Sequence, residues 1–153
     1  MIAADPLAPR VPVPDAPPVR WGDHALPLVT AAVHEAGHLV IADLAGIRVD
    51  GAYIDPAGNG GVFADLDGAD PRDFALFAAG GTAAQLVFGL GDVGGKVDAE
   101  TACRLVGADG ARLALAAARD LLHRERAAVA AWASILLARR QVRLAGPWSV
   151  ASA

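Results

Sequence analysis

The sequence predicts a mainly α fold with a small β-hairpin or sheet beside its first long helix. Three observations indicate this class: apolar residues recur at helical spacing up to Gly46, Asp70-Pro71 has the form of a helix start, and the residues after about Gly110 are rich in alanine and leucine. The chain has 153 residues, of which 54% are apolar, so it is long enough to form one domain with a buried core.

Residues 1–27 are predicted to form a proline-rich extended arm, and residues 28–153 a single domain. Seven of the ten prolines fall within residues 1–28, where neither helical nor strand periodicity is visible. We therefore place the arm outside the core, with Trp21 as the side chain that attaches its end to the domain.

The first long helix is predicted to begin at about Pro27 and to end at Gly46. Its apolar positions are separated by four, three, four and four residues, which is the spacing of a buried helical stripe; they are Val29, Val33, Ala36, Val40 and Leu44. Gly37 interrupts this helix at a cost of about 1 kcal/mol relative to alanine. We expect another segment to pack tightly there, and the pair Gly80-Gly81 indicates a similar close approach of two backbones.

A change of period after Gly46 predicts a β-hairpin. Residues 47–54 and 62–66 have strand composition, and the turn between them is the run from Pro56 to Gly61. An isolated hairpin is only marginally stable, so it must pack on the helices. Two roles stay open: one edge holds an extended peptide by strand addition, or the hairpin only covers the core.

The second half of the chain is predicted to be helical. Asp70 and Pro71 fit the N-cap and first position of a helix that runs to about Phe88. The uncharged run within it is read as a buried core helix and not as a membrane span. A glycine loop at residues 89–95 leads to a further helix from about residue 99, and residues 110–144 are assigned to one long or two shorter helices.

The run His34-Glu35-Ala36-Gly37-His38 lies on the first helix and matches the His-Glu-x-x-His pattern. Residues four apart on a helix differ by about 40° in direction and roughly 6 Å in rise, so both imidazoles can bind one ion. Zinc held by two histidines and a third protein ligand keeps a position for water, from which Glu35 can take a proton as general base. The chain has only four His and three Glu, so chance placement on an ordinary helix is the weaker explanation.

A third zinc ligand has to come from elsewhere in the chain. The place of a third histidine, six residues after His38, is occupied by Leu44. Asp98 and Glu100, which follow the glycine loop, are the two candidates from the residues alone. The alternative role for Asp98 is the N-cap of the next helix, a common position for aspartate.

Three segments resemble, in order and spacing, the peptidase domain of the FtsH-type zinc proteases. They are Val29 to His38, Ala79 to Gly89, and Val97 to Ala102. The resemblance covers roughly residue 28 to the C-terminus and implies a zincin-like helical peptidase domain with a small β element beside the active-site helix. One departure is Gln85, which stands where that family usually has glutamate.

The resemblance implies a soluble zinc metalloendopeptidase. Asp98 is then the third Zn²⁺ ligand beside His34 and His38, and Glu35 activates water for the hydrolysis of peptide bonds. The AAA+ ATPase module and the transmembrane anchor of that family have no counterpart in this sequence, so the expected substrates are peptides or unfolded polypeptides. The alternative is a catalytically silent zinc-containing module that binds peptides or a partner protein.

Composition limits the expected partners and location. A net charge of −4 without a basic stripe argues against nucleic acid. The single cysteine, Cys103, excludes an internal disulfide, and no secretory signal is visible after Met1, so we expect a cytoplasmic protein without a membrane span. The FtsH-type family works as a hexamer, partly through its ATPase module, so a homo-oligomer and a separate ATPase partner both stay open.

Overall fold

The computed structural model describes residues 10–144, and these form four α-helices and a small sheet. The α-helices are α1 (Leu26–Ala45), α2 (Pro71–Val87), α3 (Lys96–Arg124) and α4 (Arg126–Arg139), and the strands are β1 (Arg48–Ile54), β2 (Gly60–Asp65) and β3 (Gln141–Arg143). A short 3₁₀ turn at Trp21–Asp23 precedes α1. The predicted mainly α class is confirmed, whereas the ends of the predicted arm and domain, residues 1–9 and 145–153, lie outside the described range.

The sheet has three antiparallel strands in the order β2-β1-β3, so β2 and β3 are its edges. The predicted hairpin is confirmed as β1 and β2. The assignment of residues 141–144 to a helix is wrong, because Arg140 takes a left-handed conformation with φ 64° and ends α4. Val142 is then buried between two exposed neighbours, as expected of a strand that pairs with the distant β1.

α1 is the central element of the core. Thirteen of its twenty residues are buried, so it is covered on most sides and not along one stripe only. It ends at Gly46, as predicted, and Gly46 takes the left-handed conformation with φ 69°. Among the described residues α1 is the one helix long and apolar enough to cross a membrane, but 78% of its apolar window is buried in the protein, and core helices commonly share this length and composition.

Glycines let α1 and α2 approach closely. A Cβ added at Gly37 would overlap the carbonyl oxygen of Gly80 and the Cβ of Ala84, and one added at Gly80 would lie 3.0 Å from the carbonyl oxygen of Gly37. The predicted close approach is therefore confirmed at Gly37 and Gly80, whereas the neighbour of Gly81 is the His34 ring and not a backbone. This crossing fixes the face of α1 that carries the two histidines against α2.

α2 and α3 begin differently. The Asp70 carboxylate accepts a hydrogen bond of 2.8 Å from the Arg72 N–H, so the predicted N-cap of α2 is confirmed. Gly95 takes the N-cap position of α3, which places Asp98 within the first turn and not at the cap. α3 is also interrupted at Gly107, whose φ of 76° and ψ of 171° are outside the helical region.

The described part of the arm packs on the domain. The backbone N–H groups of Arg10 and Val11 donate to the buried Glu125 carboxylate at 2.6 and 3.2 Å. Val11 is buried in the core cluster, so the prediction that the arm stays outside the core is wrong for this residue. Trp21 attaches the end of the arm as predicted, since its indole N–H donates to the Ser134 hydroxyl at 3.0 Å.

Candidate metal centre

Three potential metal-ligand atoms meet where α1 faces the start of α3. The Asp98 Oδ2 atom lies 3.0 Å from the His34 Nε2 atom and 3.3 Å from the His38 Nε2 atom. The two Nε2 atoms are 3.1 Å apart. Ligand atoms about 2.0–2.1 Å from a tetrahedral zinc lie roughly 3.3 Å from one another. The observed triangle therefore has nearly the size of one face of a zinc coordination tetrahedron.

Hydrogen bonds on the other side of each ring fix which nitrogen carries the proton. The His38 Nδ1 atom is 2.8 Å from the Phe77 carbonyl oxygen, which can only accept, so Nδ1 carries the proton. The His34 Nδ1 atom is 2.8 Å from the Gln85 Oε1 atom. The Gln85 amide is oriented in turn by its NH₂ group, which donates to the Val93 carbonyl oxygen at 2.8 Å.

These hydrogen bonds leave three acceptor atoms pointing at one another: Nε2 of His34, Nε2 of His38 and Oδ2 of Asp98. With both Nδ1 atoms protonated, each neutral imidazole directs an Nε2 lone pair toward the other and toward the Asp98 carboxylate. Three lone pairs at about 3 Å repel one another unless a proton or a metal cation lies between them. Two imidazoles and one carboxylate are a donor set that zinc commonly takes. The residues present thus fit a zinc ion.

Small residues on α2 make room for the His34 ring. A Cβ at Gly81 would overlap three atoms of that ring, so any side chain at this position would displace it. The centroid of the Phe77 ring lies 5.0 Å from that of the His38 ring, so the two rings pack against each other. The sequence of α2 therefore sets the positions of both imidazoles by packing as well as by hydrogen bonds.

The electrostatics of the cluster favour an ionised Asp98. Burial alone would raise the pKa of Asp98, but the hydrogen bonds that it accepts from His34 and His38 when these rings are protonated at Nε2 outweigh burial and hold the pKa far below its usual range. Burial opposes the charged form of His34, yet the hydrogen bond to Asp98 and the nearby Glu35 carboxylate raise the His34 pKa above its ordinary value. The carboxylate is thus available as an anionic ligand.

Glu35 lies beside the cluster in the same cavity. Its side chain is 6% exposed and packs against β2, where a Cβ at Gly60 would come within 2.8 Å of the Glu35 Oε1 atom. Burial raises the pKa of Glu35, and the charges of His38 and His34 oppose this rise. A carboxyl group with a raised pKa is suited to exchange protons near neutral pH.

The cavity around these residues has a volume of about 670 Å³, within the range of small-molecule and peptide sites. Its lining includes the turn and first half of β2, at residues 57–62, together with part of the glycine loop and the start of α3. Leu26, Val93 and Val97 line it and are 66%, 75% and 69% exposed. The cluster thus lies in an open cleft with an apolar rim.

All four predicted site residues meet in this cleft: His34, His38 and Asp98 form the cluster, and Glu35 lines the cavity. Glu100 is exposed and lies outside the cluster. The sequence reasoning missed the contacts of Gln85, whose available signals were a lone amide in an apolar helix and the departure from the glutamate of FtsH-type proteases. Comparisons with protein-family models, with curated proteins and with solved structures found no match to this chain.

Proposed function

We propose that this protein is a zinc-dependent peptidase with a zincin-like site. The observation that carries the proposal is the convergence of the His34, His38 and Asp98 lone pairs within 3.0–3.3 Å, in a cleft that also holds Glu35. A site with three protein ligands that opens into a cleft is the arrangement of catalytic zinc, whereas structural zinc sites are closed by four protein ligands. The resemblance to FtsH-type proteases supports the same conclusion.

Zinc in this site would supply a Lewis acid that polarises a substrate carbonyl and lowers the pKa of water. The His34, His38 and Asp98 side chains hold the ion. Glu35 takes one proton from the attacking water as the new C–O bond forms. It then gives that proton to the amide nitrogen as the C–N bond breaks, so the products are a carboxylic acid and an amine.

The cleft fits an extended peptide. β2 is an edge of the sheet, and its first residues line the same cavity as part of the glycine loop. An extended substrate can pair with such an edge through its backbone, which is independent of side-chain identity. The exposed Val93 and Val97 side chains would contact apolar substrate residues. We therefore propose peptides and unfolded polypeptide segments as the substrate class.

The proposal is tested by zinc content and by hydrolysis of a denatured protein in three variants. Glu35→Gln is expected to retain zinc and to lose about 100- to 10,000-fold in kcat, the usual share of a general base. Asp98→Ala is expected to lose zinc, whereas the matched control Glu100→Ala retains it. Zinc loss in Glu100→Ala alone would overturn the ligand assignment.

The non-catalytic alternative gives a different result in the same assay. A module that only binds peptides would hold zinc stoichiometrically in the wild type and cleave no denatured protein. A Glu35→Gln variant that cleaves as fast as the wild type would contradict the role of Glu35 while leaving the metal site intact. A wild type that binds no zinc would contradict both readings.

A further inference from the structure

Gln85 has two partners on different elements. Its side chain is 0% exposed, so each of its polar groups must find a partner inside the protein. The Oε1 atom accepts from His34 Nδ1 on α1, and the NH₂ group donates to the carbonyl oxygen of Val93, both at 2.8 Å. One buried amide on α2 therefore joins the metal cluster to the segment between α2 and α3.

That segment, residues 89–95, is built largely from glycine. Gly89, Gly91 and Gly94 have φ values of 70°, 79° and 89°, a left-handed conformation that other residues rarely adopt. The Val93 side chain is 75% exposed and lines the cleft. The buried Gln85 amide thus holds the backbone of Val93, while the side chain of Val93 lines the cavity proposed for substrate.

Only an amide satisfies both partners as they stand. A carboxylate at this position could accept from His34 but would place an oxygen against the Val93 carbonyl, and two acceptors repel. If the bond to Val93 is lost, nothing fixes which end of the amide faces His34. An NH₂ group turned toward Nδ1 requires a lone pair there, which moves the proton to Nε2 and removes the lone pair that binds metal.

We propose that Gln85 is a positioning residue that holds His34 in its metal-binding tautomer. The hydrogen bond from Gln85 to Val93, in the loop of residues 89–95, fixes the orientation of the amide that His34 contacts. The metal-binding part of this inference rests on the proposed function, but the tautomer does not. The loop that contacts substrate and the ring that binds the metal are then linked through one side chain. Displacement of the Val93 backbone weakens metal binding at His34.

The first test is the tautomer of His34 in metal-free protein, read by long-range ¹H–¹⁵N NMR well above the ordinary histidine pKa of about 6.5. The wild type is expected to show Nδ1–H at His34, and Gln85→Leu a mixture of tautomers. The matched control is Gln141→Leu, the same change at an exposed position of β3. An Nε2–H tautomer in the wild type overturns the proposal, whatever the protein binds.

The second test separates the two bonds of the amide. In zinc-loaded Gln85→Glu at alkaline pH, hydrogen exchange of residues 89–95 is expected to accelerate about 10-fold or more while zinc is retained, because the carboxylate still accepts from His34. Gln85→Leu is expected to weaken zinc binding by about 10- to 100-fold, the usual effect of removing the hydrogen-bond partner of a metal ligand. Unchanged exchange in Gln85→Glu overturns the link to the loop.

The two proposals fail in different ways. If the wild type binds no zinc but shows the Nδ1–H tautomer and a protected loop, the zinc peptidase is wrong and Gln85 still positions His34. If zinc binds and peptides are cleaved equally well in Gln85→Leu and in Gln141→Leu, Gln85 only fills space. Zinc affinity, kcat and KM of these variants therefore show whether Gln85 positions His34 or only fills space.

Discussion

The candidate metal centre joins two regions that differ in how deeply they are packed. α1 has thirteen of its twenty residues buried, whereas α3 has three of twenty-nine. The candidate ligands differ in the same way: the His34 and His38 side chains are 12% and 7% exposed, and that of Asp98 is 27% exposed. The buried core therefore fixes two of the candidate ligands, while a helix with few buried residues supplies the third.

Glycine has opposite uses in the two regions. In α1 and α2 it removes side chains, so that Gly37, Gly80 and Gly81 allow the backbones and the His34 ring to pack closely. In α3, Gly107 instead supplies a backbone conformation, with φ 76°, and nothing lies within 4 Å of its missing Cβ. The first use increases packing density, and the second divides a long helix.

The largest expected difference between α1 and α3 is the loss of stability when a leucine is replaced by alanine. Leu39 on α1 is fully buried, and Leu39→Ala is expected to lower the free energy of unfolding by about 2–5 kcal/mol. Leu113 on α3 is 72% exposed, and the matched Leu113→Ala should stay within about 0.5 kcal/mol of the wild type. Urea unfolding measures both. Equal losses would show that Leu113 is buried in solution.

A smaller effect is expected where a glycine makes room for a ligand. Gly81→Ala gains about 1 kcal/mol of helix propensity, but its Cβ overlaps the His34 ring, and overpacking costs about 1–3 kcal/mol. We therefore expect a net loss of stability together with weaker zinc binding. Gly22→Ala, whose Cβ would meet nothing within 4 Å, is the control. A Gly81→Ala variant more stable than the wild type would show that the ring moves freely.

The parts of the fold set by local chemistry were predicted from the sequence. The helix end at Gly46 and the helix start at Asp70 each depend on a few neighbouring residues, and both predictions are confirmed. The strand Gln141–Arg143 was not predicted, because three residues carry no periodic signal and their partner strand lies far away in the sequence. The burial of Val11 was not predicted either, because Val11 packs against residues far away in the sequence.

The candidate site likewise has a part that local sequence predicts and a part that depends on tertiary structure. His34, Glu35 and His38 share one helix, so their spacing alone brought them together. The choice between Asp98 and Glu100 depends on where α3 begins and how it turns toward α1, and neither follows from the local sequence. The two partners of Gln85 come from two other elements, so its role became visible only in the structure.

The smallest predicted effect concerns the two helix starts. Asp70→Ala removes a capping carboxylate from α2 and should cost about 1 kcal/mol in thermal or urea unfolding. The exposed Asp67→Ala, three residues earlier, is the matched control and should stay within about 0.5 kcal/mol of the wild type.

The same cap cannot be added to α3, because a Cβ at Gly95 would overlap the Thr82 hydroxyl. Gly95→Asp is therefore expected to gain no stability, although residue preferences at N-caps favour it, and a stabilised variant would show that the start of α3 can move away from α2.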